Sequence, residues 1–519
     1  MSWIPKSFPF HRTSGAAVAI ACLALALGAA LSMPNWAYYR VHTFDLGLYA
    51  RTAFDWSRGV HNAGEVQASI PKSLTRPALA THFDLWLILL APAVRLAGAQ
   101  ALIWAQLLAP IWGLWGLFKV GTRLSSHRSV GPLLMLCTAT SFGLYHAWTF
   151  PYHSEVVGWS FLPWWWYALL QPGRKAAWRW VWLALLLIAK EDMGLHMAFV
   201  AGAVALLHPA SDNPRLRRQA GVDALISLLY ALCVLGWWMP AFAGTGSVSN
   251  LDHGPLAAVL RALAQSDGAQ LRDATEQLGR ALFAHHGPHD YGFHWKREWW
   301  QALMLSGAWL WWRRPAVFLM LVPLVAAKMW HDNPAVWGTL KHYNVGLGWW
   351  MPLGVVLAWG HRAREIATDQ EGWRRVRRYA LPGGLVLAVW GSAWATHRTL
   401  HHSRQWMDPG SVDLCSEPHW QSTMSPQAHA EWRTLVPTEA RVSASHHLVP
   451  YLIRQPVLKG FPETSACDHV VVYDFPQGDA PYARSEVMRE ISTLLTSGEW
   501  EQLARSPGLY VLRRKGPRL

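Results

Sequence analysis

Long apolar runs separated by short polar connections dominate the first 395 residues of the chain. The first run, 14–33 (SGAAVAIACLALALGAALSM), is long enough to cross a bilayer, which takes about 20 apolar residues. Lys6, His11 and Arg12 precede it, and no A-x-A cleavage site follows, so the run reads as a retained helix with a cytoplasmic N-terminus. Further crossings are expected near 100–119, 130–149, 156–171, 177–190, 194–208, 221–240, 299–312, 315–329, 345–360 and 379–395, about eleven in all. The segment 84–98 (DLWLILLAPAVRLAG) is short and interrupted by Pro92 and Arg95, and reads as an interfacial or re-entrant helix.

Past residue 395 the pattern changes period. "RVSASHHLVPYL" reads as a strand followed by a helix start, and "DHVVVYDF" as a buried strand. "SEVMREISTLLTSGEWEQLA" reads as one amphipathic helix and "GLYVLRR" as a closing strand. The pattern therefore predicts a mainly α polytopic membrane domain over 1–395 and a small α/β domain over 396–519. External loops fall at 34–99 and 241–298, the first with juxtamembrane helices and the second with a helical stretch near 256–284 and a His-rich end.

Charge orients this picture. Basic residues gather in alternate connections: Lys119, Arg123 and Arg128; Arg174, Lys175 and Arg179; Arg215, Arg217 and Arg218; Arg313 and Arg314; and Arg362 through Arg378. The turns near 150–155 and 191–193 hold no Lys or Arg. Cationic loops stay in the cytoplasm, so the C-terminal domain is expected outside, in the periplasm of a Gram-negative host, and the protein in the bacterial inner membrane. The net charge of +14 follows from these clusters and carries no nucleic-acid signature. A charged fraction of 15% and 35 tryptophans, residues that favour membrane interfaces, agree with a membrane protein. Of five cysteines, Cys415 and Cys467 fall in the polar part and would have an oxidising compartment in which to pair.

Ionisable residues are few in the apolar part and several gather at expected outer helix ends: Asp45 in "TFDLG", His82 and Asp84 in "THFDLW", His153 and Glu155 in "FPYHSE", Lys190, Glu191 and Asp192 in "AKED", and Lys341, His342 and Tyr343 in "LKHYN". Ionisable groups at a membrane boundary are costly, which makes such a set a functional candidate. Each has a plainer reading as well. Asp45 would cap a helix beginning at Leu46, Lys190 would pair with its neighbouring acids, and Lys341 and Tyr343 would anchor at the interface.

The blocks "HTFDLGLYARTAFDWSRG", "THFDLWLILLAP", "FPYHSEVVGWSFLP", "AKEDMGL" and "KHYNVGLGWWMP", with the tail "RVSASHHLVPYLIRQPVLKGFP", resemble a bacterial membrane-protein family, the domain of unknown function 2079. That family is similar in layout to the GT-C integral-membrane glycosyltransferases. The resemblance implies a polyprenyl-phosphate-linked sugar donor, an acceptor outside the cytoplasm, and an early-loop acid acting as base or metal-associated residue, the place of Asp45. Better-known members carry an Asp-Glu pair there; here Leu46 follows Asp45.

The chemistry assigns roles within that frame. Inverting glycosyl transfer needs a carboxylate to take the acceptor's proton, the role expected of Asp45 with Glu155 as second catalytic acid. A lipid-phosphate leaving group needs fixed cations or a metal. Lys190, Glu191, Asp192, Lys341, His342 and Tyr343 form the expected substrate and phosphate site, with Arg40, Lys72 and Arg76 in reserve. His82, Asp84, His153 and Glu155 are ligand types for a divalent ion, although no tight metal motif is present. Two other classes fit a polytopic chain: a transporter or flippase for a lipid-linked sugar, and a non-catalytic scaffold. Inverted repeats and broken midplane helices would mark the transporter; a scaffold would have no use for a one-sided set of acids and cations.

Overall fold

The computed structural model describes residues 11–60, 66, 78–125, 127–208, 214–243, 258–259, 262–263, 265, 268–283, 292–331, 334–360, 371–400, 409–476 and 478–516. Lys72, Arg76 and most of the His-rich end of loop 241–298 lie outside them. The chain folds into two compact units, neither contiguous in sequence. One comprises Met1–Gly28, Leu107–Trp148 and Glu155–Met407; the other comprises Ala29–Gln106, Thr149–Ser154 and Asp408–Leu519.

The first unit is helical. Its helix Val345–Trp359 is apolar on every side and buried along nearly its whole length, as an all-round apolar helix must be. Three helices among the described residues, Ser14–Ala37, Gln100–Leu124 and Pro214–Phe242, are long and apolar enough to cross a membrane singly. Several other expected crossings are broken, for local reasons. The run 130–149 divides into helices Val130–Ala139 and Phe142–Thr149, where the Thr140 hydroxyl bonds back to the Leu136 carbonyl (2.8 Å) and the Ser141 hydroxyl accepts from the Leu144 amide (3.3 Å). The run 156–171 divides into Ser154–Trp159 and Leu162–Leu169, the second opening with Pro163. The run 315–329 is a 3-10 helix, Pro315–Leu321, and a short helix, Val322–Met329, each with proline at its start.

Tryptophan does not serve the interface alone. Trp148, Trp165, Trp166, Trp299, Trp311 and Trp350 are fully buried, whereas Trp112, Trp178, Trp237, Trp312 and Trp390 are exposed. Trp165 donates to Asp223 (2.9 Å), Trp166 to His208 (3.1 Å) and Trp299 to Asn344 (2.7 Å), whereas the N–H groups of Trp311 and Trp350 have no partner among the described residues.

The second unit is built on a five-stranded sheet in the order β2-β1-β3-β5-β4. The strands are β1 (Arg441–Ala444), β2 (Val457–Gly460), β3 (His469–Tyr473), β4 (Trp500–Gln502) and β5 (Leu509–Arg514). Strand β1 pairs in parallel with β2 and β3, and β5 pairs antiparallel with β3 and β4. Alternation sends Val470, Val472 and Leu512 toward Val487 and Ile491 of helix Arg484–Thr496. Val442, Val471 and Val511 face the other way, toward Ala428 and Trp432 of helix Pro426–Leu435 and toward Tyr39. The expected helix 485–504 is shorter than its pattern: Gly498 adopts φ +73°, which ends it, and Trp500–Gln502 becomes strand β4. Cys415 is exposed and Cys467 is buried, and no disulfide joins them.

Segment 38–56 belongs to this unit by its contacts. The Tyr39 hydroxyl lies 2.6 Å from His429 Nδ1, and Thr43 donates to the His446 carbonyl (2.8 Å). Buried Arg51 donates to the carbonyls of Ile453 (3.1 Å) and Gln455 (2.6 Å) and pairs with Asp55 at 3.1 Å.

Candidate functional site

Among the described residues of the helical unit, a group of buried charge is assembled from three turns. Glu155 lies in the first turn of helix Ser154–Trp159, where a carboxylate meets the positive end of the helix dipole. Lys190, Glu191 and Asp192 form the connection between helices Trp178–Leu187 and Met193–Leu207. His342 and Tyr343 lie in the 3-10 turn His342–Asn344, entered through Lys341 at φ +64°. Asn344 anchors that turn by donating to the Gly338 and Thr339 carbonyls (3.2 and 2.9 Å).

These turns meet at Glu155. Lys190 Nζ lies 3.1 Å from its Oε2, and His342 Nε2 lies 3.4 Å from its Oε1. Lys190 also reaches Asp192 at 3.9 Å, and Asp192 lies 3.7 Å from His196 Nε2. Glu155 and His342 are buried. A cavity beside the pair is lined by Glu155, Lys190, Asp192, His196, Lys328 and Tyr343, with Trp159 and Trp350 as aromatic wall. Its lining includes neither Glu191 nor Lys341. Lys328 was not among the expected residues. It is 1% exposed, donates to the Val336 carbonyl and, at 3.0 Å, to that of Gly338, and sits 5.8 Å from the Tyr343 ring centroid. The signal for it was a lysine inside the apolar run 315–329.

The remaining expected residues lie in the other unit. Asp45 sits within Thr43–Gly47, a one-turn π-helix of the kind that recurs at functional sites. It does not cap a helix beginning at Leu46; His42 holds the N-cap position, and the α-helix Leu48–Trp56 follows the π-turn. Phe44 points out and Leu46 points in, leaving Asp45 half-buried between them. Asp45 Oδ1 lies 3.5 Å from His153 Nε2. The His153 amide donates to Gln106 (2.7 Å), and its Nδ1 faces the Pro151 carbonyl at 2.9 Å, which orients the ring. Tyr49 packs edge-on against His153, with centroids 5.5 Å apart.

Asp84 is fully enclosed near the start of helix Trp86–Ala97. Burial pushes its carboxyl up to about 7, against the pull of the Ser154 hydroxyl, His82 and the Leu87 and Trp86 amides. Arg40 proves structural. Its guanidinium donates to the carbonyls of Gly410 (2.9 Å), His419 (2.9 Å), Gln421 (2.7 Å) and Pro418.

Among the described residues, the trio of ligand types within reach of one ion is not drawn from the expected set His82, Asp84, His153 and Glu155. It is His42, His447 and Asp479, whose ligand atoms lie within 4.8 Å of one another. Burial, then the facing rings of His447 and His446, hold the His42 imidazole well below its ordinary value and therefore neutral. Burial also lowers His446 to about 4 and raises Asp479 to about 7.

Solved structures similar to this chain include ArnT from Cupriavidus metallidurans bound to undecaprenyl phosphate, with TM-score 0.46 and 13% identity over 96% of this chain and 98% of that one. Another is the archaeal oligosaccharyltransferase AglB from Archaeoglobus fulgidus in complex with an inhibitory peptide and a dolichol-phosphate, with TM-score 0.39 and 9% identity over 96% and 74%. No curated protein matches the chain in sequence. A family model described as "Predicted membrane protein (DUF2079)" matches residues 38–511, and the chain belongs to that family of membrane proteins.

Proposed function

We propose that this protein is a GT-C-like glycosyltransferase of the bacterial inner membrane. It transfers a sugar from a polyprenyl-phosphate-linked donor to an acceptor on the extracytoplasmic side, where the C-terminal domain also lies. The observation that carries this reading is the cavity lined by Lys190, Lys328 and Glu155 within an otherwise apolar helical unit, with His342 outside its lining but 3.4 Å from Glu155. Lys190 offers positive charge of the kind a departing lipid phosphate needs, and Lys328 stands in the same cavity wall as a second ammonium donor. Tyr343, Trp159 and Trp350 give this small cavity an aromatic wall.

Asp45 is the proposed base. Its partner His153 supports the role: with Nδ1–H directed to the Pro151 carbonyl, Nε2 keeps a lone pair and can share the proton that Asp45 accepts. The half-buried carboxylate between Phe44 and Leu46 retains an opening toward an acceptor hydroxyl. Glu155 serves as second acid, tuned by Lys190 and His342.

The test is sugar transfer in vesicles containing the purified protein and a polyprenyl-phosphate-linked donor, read as release of polyprenyl phosphate. Asp45→Asn is expected to lower the rate by about 10²–10⁴-fold, the usual contribution of a general base. Full activity in a normally inserted Asp45→Asn protein would remove Asp45 from this role, and activity unchanged by Lys328→Met would remove the lysine from phosphate binding.

A further inference from the structure

The trio His42, His447 and Asp479 is used by none of the chemistry above. His42 is the N-cap of the π-turn that carries Asp45, His447 follows strand β1, and Asp479 follows strand β3. We propose that these three side chains bind one divalent transition-metal ion, of the zinc type, which clamps the start of the Asp45 segment onto the end of strand β1.

The donor set is the first argument. Two imidazoles and one carboxylate suit a borderline ion such as Zn²⁺ and offer too few oxygens for Ca²⁺ or Mg²⁺. Three protein ligands leave a further position for water.

The surroundings are the second argument. The His447 Nδ1 lies 3.1 Å from the Val41 carbonyl, so the proton belongs on Nδ1 and the lone pair on Nε2. Such an outer hydrogen bond fixes tautomer and ring direction in metal-binding histidines. Asp479 is oriented in the same manner, since Oδ2 accepts from the His446 amide (2.8 Å) and Oδ1 from the His447 amide (3.3 Å). Each carboxylate oxygen keeps a second lone pair.

His42 supplies the third argument. Its Nε2 is buried and makes no hydrogen bond of ordinary geometry among the described residues, the Ala480 backbone being the polar group beside the ring. The ring lies nearly parallel to those of Phe44 (centroids 5.1 Å apart) and His446 (5.4 Å apart), which are 5.9 Å from each other, so the three rings group side by side at this point. A purely structural turn explains Asp479, which caps two amides, and His447, which holds Val41. It does not explain a buried imidazole nitrogen without such a bond at the same point. Loading through Nε2 moves the ring proton to Nδ1 and releases the 3.2 Å contact from the Phe44 amide. An ion with bonds of about 2.0–2.2 Å also draws the most separated ligand atoms inward by about 1 Å.

The proposal is tested without any sugar donor, so its failure is separate from failure of the glycosyltransferase reading. The full chain, purified in detergent and stripped by a chelator, is titrated with Zn²⁺ and its metal content measured. About one ion per chain is expected, with affinity lowered at least about tenfold by His447→Gln and by Asp479→Asn and unchanged by His429→Gln. Co²⁺ in the unsubstituted protein guards against misfolded variants. A visible d–d spectrum of a histidine-ligated ion, displaced by Zn²⁺, supports the site. Absence of a stoichiometric ion in the parent protein, or equal affinity in the trio variants, would overturn it.

Discussion

At the scale of single residues, burial decides what each acid does. Asp84 is an ordinary loop acid by sequence, yet its enclosure raises its carboxyl from 3.8 to about 7. Between those values the folded chain holds a proton that the unfolded chain releases, so its contribution to stability is present below the lower value and is lost as pH rises through the higher one. Asp84→Asn removes the charge to be buried. The variant's melting temperature relative to the parent is expected to be more favourable at about pH 8 than at about pH 5, measured by thermal unfolding in detergent; an equal offset at both would refute the assignment. Glu155 is held differently, by Lys190 and His342. Glu155→Gln leaves Lys190 short of its nearest counter-charge and is expected to cost about 3 kcal/mol, the lower end for a broken buried pair because Asp192 remains 3.9 Å away. Glu155→Gln combined with Lys190→Gln should recover part of that loss, and a double-mutant cycle in thermal unfolding measures the coupling. These residues were legible in the sequence as costly charges beside apolar runs. Their partners were not, because a pairing such as Glu155 with His342 joins positions far apart in the chain.

At the scale of elements, close backbone approach sets the cluster's geometry. Gly143 lies in helix Phe142–Thr149, and a Cβ there would stand 2.1 Å from the Asn344 carbonyl oxygen. Backbone cannot yield as a flexible side chain can. Gly143→Ala is therefore expected to destabilise by about 1–3 kcal/mol and to reduce transfer activity by displacing the turn that carries His342. Gly202 makes the control: it lies in helix Met193–Leu207 with nothing within 4 Å of a new Cβ, so Gly202→Ala should be neutral or stabilising by up to about 1 kcal/mol. The same unfolding and activity measurements rank the two, and a harmless Gly143→Ala would show that the turn is not wedged there. Hydropathy located the apolar runs but not their breaks at Thr140–Ser141 or before Leu162, since periodicity does not register a hydroxyl bonding back to its own helix.

At the scale of the whole molecule, the chain is a membrane protein whose compact units are each drawn from separated stretches of sequence. The basic clusters make a prediction that no single helix makes. Reporter fusions at Arg218 and at the C-terminus are expected to report cytoplasm and outside respectively. A cytoplasmic C-terminus would reverse the whole arrangement and the placing of every proposed site residue.

The sequence alone was enough for the class of molecule, because a bilayer and a sheet each impose a period that hydrophobic residues must follow. It was also enough to single out "TFDLG", where an acid stands between Phe44 and Leu46. Only the tertiary structure decided that this stretch is a π-turn, that Asp45 faces His153, and that His42 beside it meets His447 and Asp479. The physical reason is the same each time. A side chain's neighbours across the fold set its burial, its tautomer and its charge, and those neighbours are as much as 437 positions away, as Asp479 is from His42 (479 − 42).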